Sequence, residues 1–234
     1  MRVEIWSDVV CPWCYVGKRN FEAALAQFEH RDEVDVIWRA FELDPSAPVE
    51  REGDYATHLA HKYGMSLAQA QQMIETMTAT GAVAGAVLDF ERARPGNTFD
   101  AHRIIHLAGE RGVQDAVKER LLRATFAEGE PIGDRDALLR LAVEAGLAKD
   151  EAAAVLDSDA YAAEVRADES LAVDFGISAV PFFVIDRTFG VPGAQPPDVI
   201  LRALQRAWEK SSRPLELAGE VAGAPGCDGE SCAL

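Results

Sequence analysis

Strand-like segments occur only at the two ends of this 234-residue chain. Val3 to Trp6 and Val34 to Phe41 lie near the start, Phe182-Phe183-Val184-Ile185 and Phe189 to Val191 near the finish. The first two strands are separated by a helix from about Trp13 to Phe28, so the chain opens as β-α-β. After Asp44-Pro45 a polar connection leads to Gly53, and a long helical region then runs to about Phe175. Breaks at Gly64, Arg94-Pro95-Gly96, Glu128 to Gly133 and near Gly146 divide that region into short helices. Leu121, Leu122, Thr125 and Phe126, then Leu138, Leu139, Leu141 and Val143, read as buried stripes at helical spacing. Ser158 is placed to cap a helix through Tyr161 and Val165, with Gly176 as its left-handed stop. Asp186-Arg187 suits a turn, and a final helix spans Pro197 to Lys210.

Cys11-Pro12-Trp13-Cys14 sits where the first strand gives way to the first helix. Two thiols three positions apart can close and reopen a disulfide without rebuilding the surrounding protein. The unpaired N–H groups and partial positive charge of a helix N-terminus stabilise a thiolate, bringing its pKa from roughly 8.5 to within about 3.5–7.5 in dithiol oxidoreductases. Cys11 is thus the expected nucleophile, with a lowered pKa. Pro12 suits the first helical position, and Cys14, one turn inside, is the expected resolving thiol.

The length suits one sizeable domain or a domain carrying an insertion, with core enough to dispense with disulfide staples. The four cysteines form two close pairs, Cys11/Cys14 and Cys227/Cys232, whose short loops would contribute little chain-entropy stabilisation, so they read as functional. With 23 Lys+Arg against 39 Asp+Glu the net charge is −16, which argues against nucleic acid as a partner. The acidic residues are spread over helix faces. A strand-like run at Met1 to Trp6 leaves no room for a secretory leader, and no segment approaches membrane-spanning length. These features lead to the expectation of a cytoplasmic protein with no membrane partner, where a C-x-x-C is more often catalytic, redox-sensing or metal-binding than structural. No cofactor is called for. A four-sulfur zinc site is the competing use of the cysteines, but the helix-start proline and the wide spacing of the second pair weigh against it, and no metal is expected.

Trp6 to Tyr15, Asn97-Thr98-Phe99-Asp100-Ala101-His102-Arg103, and Gly176 to Phe183 with its Val180-Pro181 together resemble the DsbA-like thioredoxin-fold family, specifically its FrnE branch, over about residues 1–210. The resemblance implies an α/β, thioredoxin-like fold with a large helical insertion. Its two halves would be 1–50 and 166–210, the helical insertion 51–165, and 211–234 an extended arm. It further implies that Pro181 is a cis-proline facing the active-site disulfide and that the Val180 backbone, with Pro12 and Trp13, contacts substrate. Kappa-class transferases and hydroxychromene-carboxylate isomerases share this architecture but usually carry serine where Cys11 stands, so the chain departs from them there. Asn97 and His102 are either ligand contacts or, respectively, a helix cap and a partly buried helix residue. Asp8 is either a proton acceptor for Cys14 or a turn residue. Phe182, with Trp13, hints at an apolar surface near the sulfurs.

Cys227 and Cys232 form a C-x4-C in a glycine-bearing tail, as in some FrnE-type proteins, and would relay electrons to the first pair by thiol–disulfide exchange. The expected function is a thiol–disulfide oxidoreductase or disulfide isomerase acting on protein thiols and disulfides, with glutathione or a thioredoxin-type protein as candidate donor. The alternatives are a glutathione-dependent small-molecule isomerase or transferase and a chaperone-like binding module.

Overall fold

The computed structural model describes residues 1–51 and 53–211. Strand β1 (Arg2–Ser7) leads into helix α1 (Pro12–Gln27), and β2 (Asp35–Ala40) returns parallel to β1 with Ile5 opposite Trp38. Helices α2 (Tyr55–Tyr63), α3 (Leu67–Ala84), α4 (Phe99–Glu110), α5 (Gln114–Arg123), α6 (Arg135–Glu144), α7 (Lys149–Leu156) and α8 (Ala162–Asp174) follow. The chain then forms β3 (Phe182–Ile185) and β4 (Phe189–Pro192), and the described residues close with α9 (Pro197–Ser211). Both late strands run antiparallel to their neighbours, giving the order β2-β1-β3-β4, so the two ends of the chain meet in one sheet with β1 at its centre.

Local signals explain most boundaries. Asp54 caps α2 by accepting from Thr57 N–H, and Ser66 with Gln69 forms a reciprocal capping box at α3. Gly176 takes φ 70° directly after α8, the left-handed stop expected there. Asp186 and Arg187 turn the β3–β4 hairpin with φ 46° and 51°. Three details differ from the sequence reading. Ser158 does not cap α8: its hydroxyl donates back to Ala154 O and accepts from Ala160 N–H, and α8 instead begins after Tyr161, itself left-handed at φ 63°. Val143 faces water and Leu139 is half-buried, since only Leu138 and Leu141 of that stripe point inward. The Gly85 break that ends α3 lies inside an alanine-rich run that reads as continuous helix.

One core runs from the sheet into the helices between its halves. Val3, Ile5, Phe21 and Phe183 pack in the same apolar cluster as Ile104, Leu121, Leu138 and Leu141. A second cluster joins Tyr15 and Val16 of α1 to Leu59, Met77, Leu122 and Phe126. Helix α1 is packed against α3 and against α9, which fixes the position of its N-terminus. Asp168 of α8 is buried and tied to β2, accepting from Ala40 N–H at 2.9 Å and from the Arg39 guanidinium at 2.9 Å. Among the described residues no helix is long and apolar enough to cross a membrane.

Candidate functional site

Asp8 to Val10 carry the chain from the end of β1 to Cys11, the N-cap of α1, with extended backbone (φ −98°, ψ 113°) and Pro12 at the first helical position. The proline supplies the φ that the first turn requires and withholds an N–H that would find no helical partner. Both cysteines are free thiols, Cys14 fully buried and Cys11 4% exposed. Cys11 Sγ lies 3.7 Å from Val180 O. The Val180-Pro181 bond is cis, and the structure brings Cys11, Cys14, Pro12, Trp13, Val180 and Pro181 to one place. Trp13 is 38% exposed beside the sulfurs, whereas Phe182 is half-buried in the sheet, against Gly190. Gly17 explains how the loop reaches α1 so closely: a Cβ there would lie 2.7 Å from Pro181 Cγ.

A buried polar group underlies the thiols. Asp8 is fully buried, accepts from Leu43 N–H at 2.8 Å and has its Oδ1 3.4 Å from His102 Nε2. Burial pushes the Asp8 carboxyl up, but the His102 imidazole, the Leu43 N–H and the Lys118 charge outweigh it and hold the group below the usual range. Lys118 of α5 is fully buried, donates to Ser7 O at 3.0 Å and lies over the Trp38 ring. Burial lowers its pKa to about 8.

The thiol ionisation differs from the sequence expectation. Burial pushes Cys14 up, yet the hydrogen bond from Cys11, the Lys118 ammonium and the Ser7 hydroxyl bring it below an ordinary thiol. Cys11 is raised, first by its hydrogen bond to the Cys14 sulfur and then by burial. The helix-start argument accounts for the N–H groups facing Cys11 but leaves out the cation behind Cys14. The two sulfurs titrate as a unit, so the apparent values belong to the pair.

Cys11 opens onto a cavity of about 450 Å³ walled on the far side by α2 and α3. Arg51, Tyr55, His58 and Met77 face it, with Arg51 paired to Asp44. His58 is pushed down by burial and by Arg51. Asn97 does not line this cavity: its Oδ1 accepts from Phe99 N–H at 3.0 Å and its Nδ2 donates to Ala47 O at 3.2 Å, so it secures the start of α4. His102 is buried beneath the thiols. Cys227 and Cys232 lie outside the described residues, and so does any four-sulfur metal site. Two participants escaped the sequence reading. Gly17 could have been flagged as a glycine inside a helix, and Lys118 as a charge three and four positions before Leu121 and Leu122 on an apolar stripe.

A family model described as DSBA-like thioredoxin domain matches residues 2–205. The uncharacterized protein YwbO of Bacillus subtilis (strain 168) is 30% identical over 212 residues, which is 90% of this chain and 98% of that protein. A probable DsbA oxidoreductase from Streptomyces coelicolor is similar in structure with a TM-score of 0.87 and 47% identity, over 100% of this chain and 99% of its own. The cytosolic disulfide reductase DsbM from Pseudomonas aeruginosa, solved with GSH, matches with a TM-score of 0.64 at 19% identity, over 89% of this chain and 100% of its own. At that identity the likeness is one of fold.

Proposed function

The chain belongs to the DsbA-like thioredoxin family, and from that premise we propose that it is a thiol–disulfide oxidoreductase of protein substrates whose redox pair is Cys11 and Cys14. Cys11 acts as nucleophile because it alone of the two meets the cavity, and Cys14 resolves. As Cys11 Sγ attacks a substrate disulfide, its shared proton passes to Cys14. A Cys11–substrate S–S bond forms, the substrate S–S bond breaks, and the departing sulfur takes a proton from solvent. Cys14 then attacks Cys11 Sγ, which closes the Cys11–Cys14 disulfide and breaks the Cys11–substrate bond, and the proton from Cys14 leaves on the second substrate sulfur as a thiol. The enzyme is oxidised and the substrate reduced; the reverse sequence makes an oxidase.

The observation that carries this reading is the disposition of the two thiols, Cys14 sealed and Cys11 facing both Val180 O and the cavity. In this reading Pro12 and Trp13 flank the bound substrate and the Val180 backbone pairs with it beside Pro181. The cavity has the volume of a small-ligand site, which supports glutathione or a protein thiol as the donor that restores the dithiol. We assign the reaction to the cytoplasm, as in DsbM, and give Cys227 and Cys232 a relay role that truncation after Ser211 removes. The test is insulin disulfide reduction under dithiothreitol. The intact protein accelerates it and Cys11→Ser abolishes the acceleration; no acceleration by the intact protein would refute the reading.

A further inference from the structure

Thr98 stands at the N-cap of α4 without doing a cap's work. Its backbone has φ −113° and ψ 0°, and its hydroxyl makes no bond to the helix start. Asn97 serves there instead, its Oδ1 accepting from Phe99 N–H at 3.0 Å. Among the described residues the Thr98 hydroxyl has no hydrogen-bond partner, although the residue is only 2% exposed. Thr125, the other buried threonine of the described residues, donates to Leu121 O at 2.9 Å. A buried hydroxyl left unbonded costs the native state, and the part of Thr98 that stays open lines the cavity onto which Cys11 opens, so the missing partner is one that enters the cavity.

The surroundings say what that partner is. Among the described residues the Asp100 and Ala101 N–H groups of the first turn of α4 find no acceptor, and the Asp100 carboxylate is turned to the Arg103 guanidinium at 2.7 Å, so the positive end of the helix stands beside the hydroxyl uncompensated. The carboxylates that line the cavity are already committed, Asp8 to Leu43 N–H and Asp44 to Arg51 and Ser46. Lys62 lines it too and lies over the Tyr63 ring, with no carboxylate within 4.0 Å among the described residues. In a chain of net charge −16 this cavity lacks an anion. It also reaches the redox pair: His102, one turn inside α4, has Nε2 3.4 Å from Asp8 Oδ1, and Cys11 N–H donates to Asp8 O at 3.4 Å. We propose that Thr98 and the start of α4 form a carboxylate subsite, and that its ligand is a low-molecular-weight thiol that carries a carboxylate and presents its sulfur to Cys11. The Thr98 hydroxyl donates to the carboxylate, and the helix end and Lys62 add attraction. The volume of about 450 Å³ sets the small size of the ligand. The role of the ligand's sulfur rests on the exchange reading above; the carboxylate contact does not.

The test is calorimetric titration of the reduced full chain with two thioether probes, S-methylglutathione and its diamide, which differ in carrying carboxylates or amides and cannot undergo exchange. Thr98→Val keeps the shape of the side chain and removes the hydroxyl. It weakens S-methylglutathione about tenfold and the diamide by no more than about twofold, and Thr98→Ser, which restores the hydroxyl, binds S-methylglutathione within about twofold of wild type. No binding of S-methylglutathione to the wild-type protein, an unchanged affinity in a Thr98→Val protein with native circular dichroism, or an equal loss of both probes overturns the proposal. A protein that shows the expected pattern but fails to accelerate insulin reduction loses the exchange reading and keeps the subsite. One that accelerates insulin reduction without the pattern loses the subsite alone.

Discussion

Lys18 and Lys118 are both fully buried, and both approach the same ring, their Nζ atoms 5.9 Å and 5.6 Å from the centre of Trp38. Their environments are opposite. Lys18 has Glu22, Asp115 and Glu119 around it, each partly open to solvent. Burial lowers its pKa, but the three carboxylates reverse that and leave it above the ordinary 10.5. Lys118 has one carbonyl and the thiols, and burial wins. The same side chain, twice beside one aromatic ring, keeps a raised pKa where carboxylates are supplied and a lowered one where they are withheld.

The comparison sets opposite signs for stability against pH. The folded pKa of Lys118 lies below the ordinary value, so between about 8 and 10.5 the unfolded chain binds more protons and stability rises with pH; below that window the group penalises the native state by about 3 kcal/mol. Lys118→Met should therefore stabilise the protein at neutral pH by about that amount, with the gain fading towards pH 10.5, as read from urea unfolding midpoints. A destabilised Lys118→Met would break the contrast.

Lys18→Met should do the reverse, losing about 2 kcal/mol at neutral pH because three carboxylates lose their cation, with partial solvation keeping the loss below that of a fully buried pair. Its folded pKa is raised, so that contribution is present below 10.5 and disappears as pH climbs through the folded value. A Lys18→Met protein stabilised at neutral pH, as Lys118→Met is expected to be, would show the two lysines to be interchangeable. The smallest effect is expected of Asp115→Asn. It removes one exposed anion from Lys18 while leaving an acceptor for Trp38 Nε1, a change of about 0.5 kcal/mol with no movement of the Lys118 titration.

Much of this was legible in the sequence. The C-x-x-C at a strand-to-helix junction and the Val180-Pro181 entry to β3 are local signals, and local signals place residues well. The strands Arg2–Ser7 and Phe182–Ile185 announce themselves by composition, and their distance in sequence is bridged by pairing at the centre of one sheet. What escaped was the effect of one segment on another. Helix-start reasoning treats α1 in isolation; a buried cation that acts on the Cys14 thiol, Lys118, arrives from α5, more than a hundred positions later. Val143 was misjudged for the same reason, since which side of α6 faces the core depends on its neighbours.

The most direct test of the account is to mix reduced Cys14→Ser with a disulfide-bonded peptide and weigh the products. A long-lived mixed disulfide is expected at Cys11, no such adduct at Cys14 in Cys11→Ser, and only transient adducts in the intact protein, where Cys14 resolves them. Absence of an adduct at Cys11, or equal trapping at Cys14 in the other variant, would contradict the assignment of Cys11 as the nucleophile and the exchange chemistry built on it.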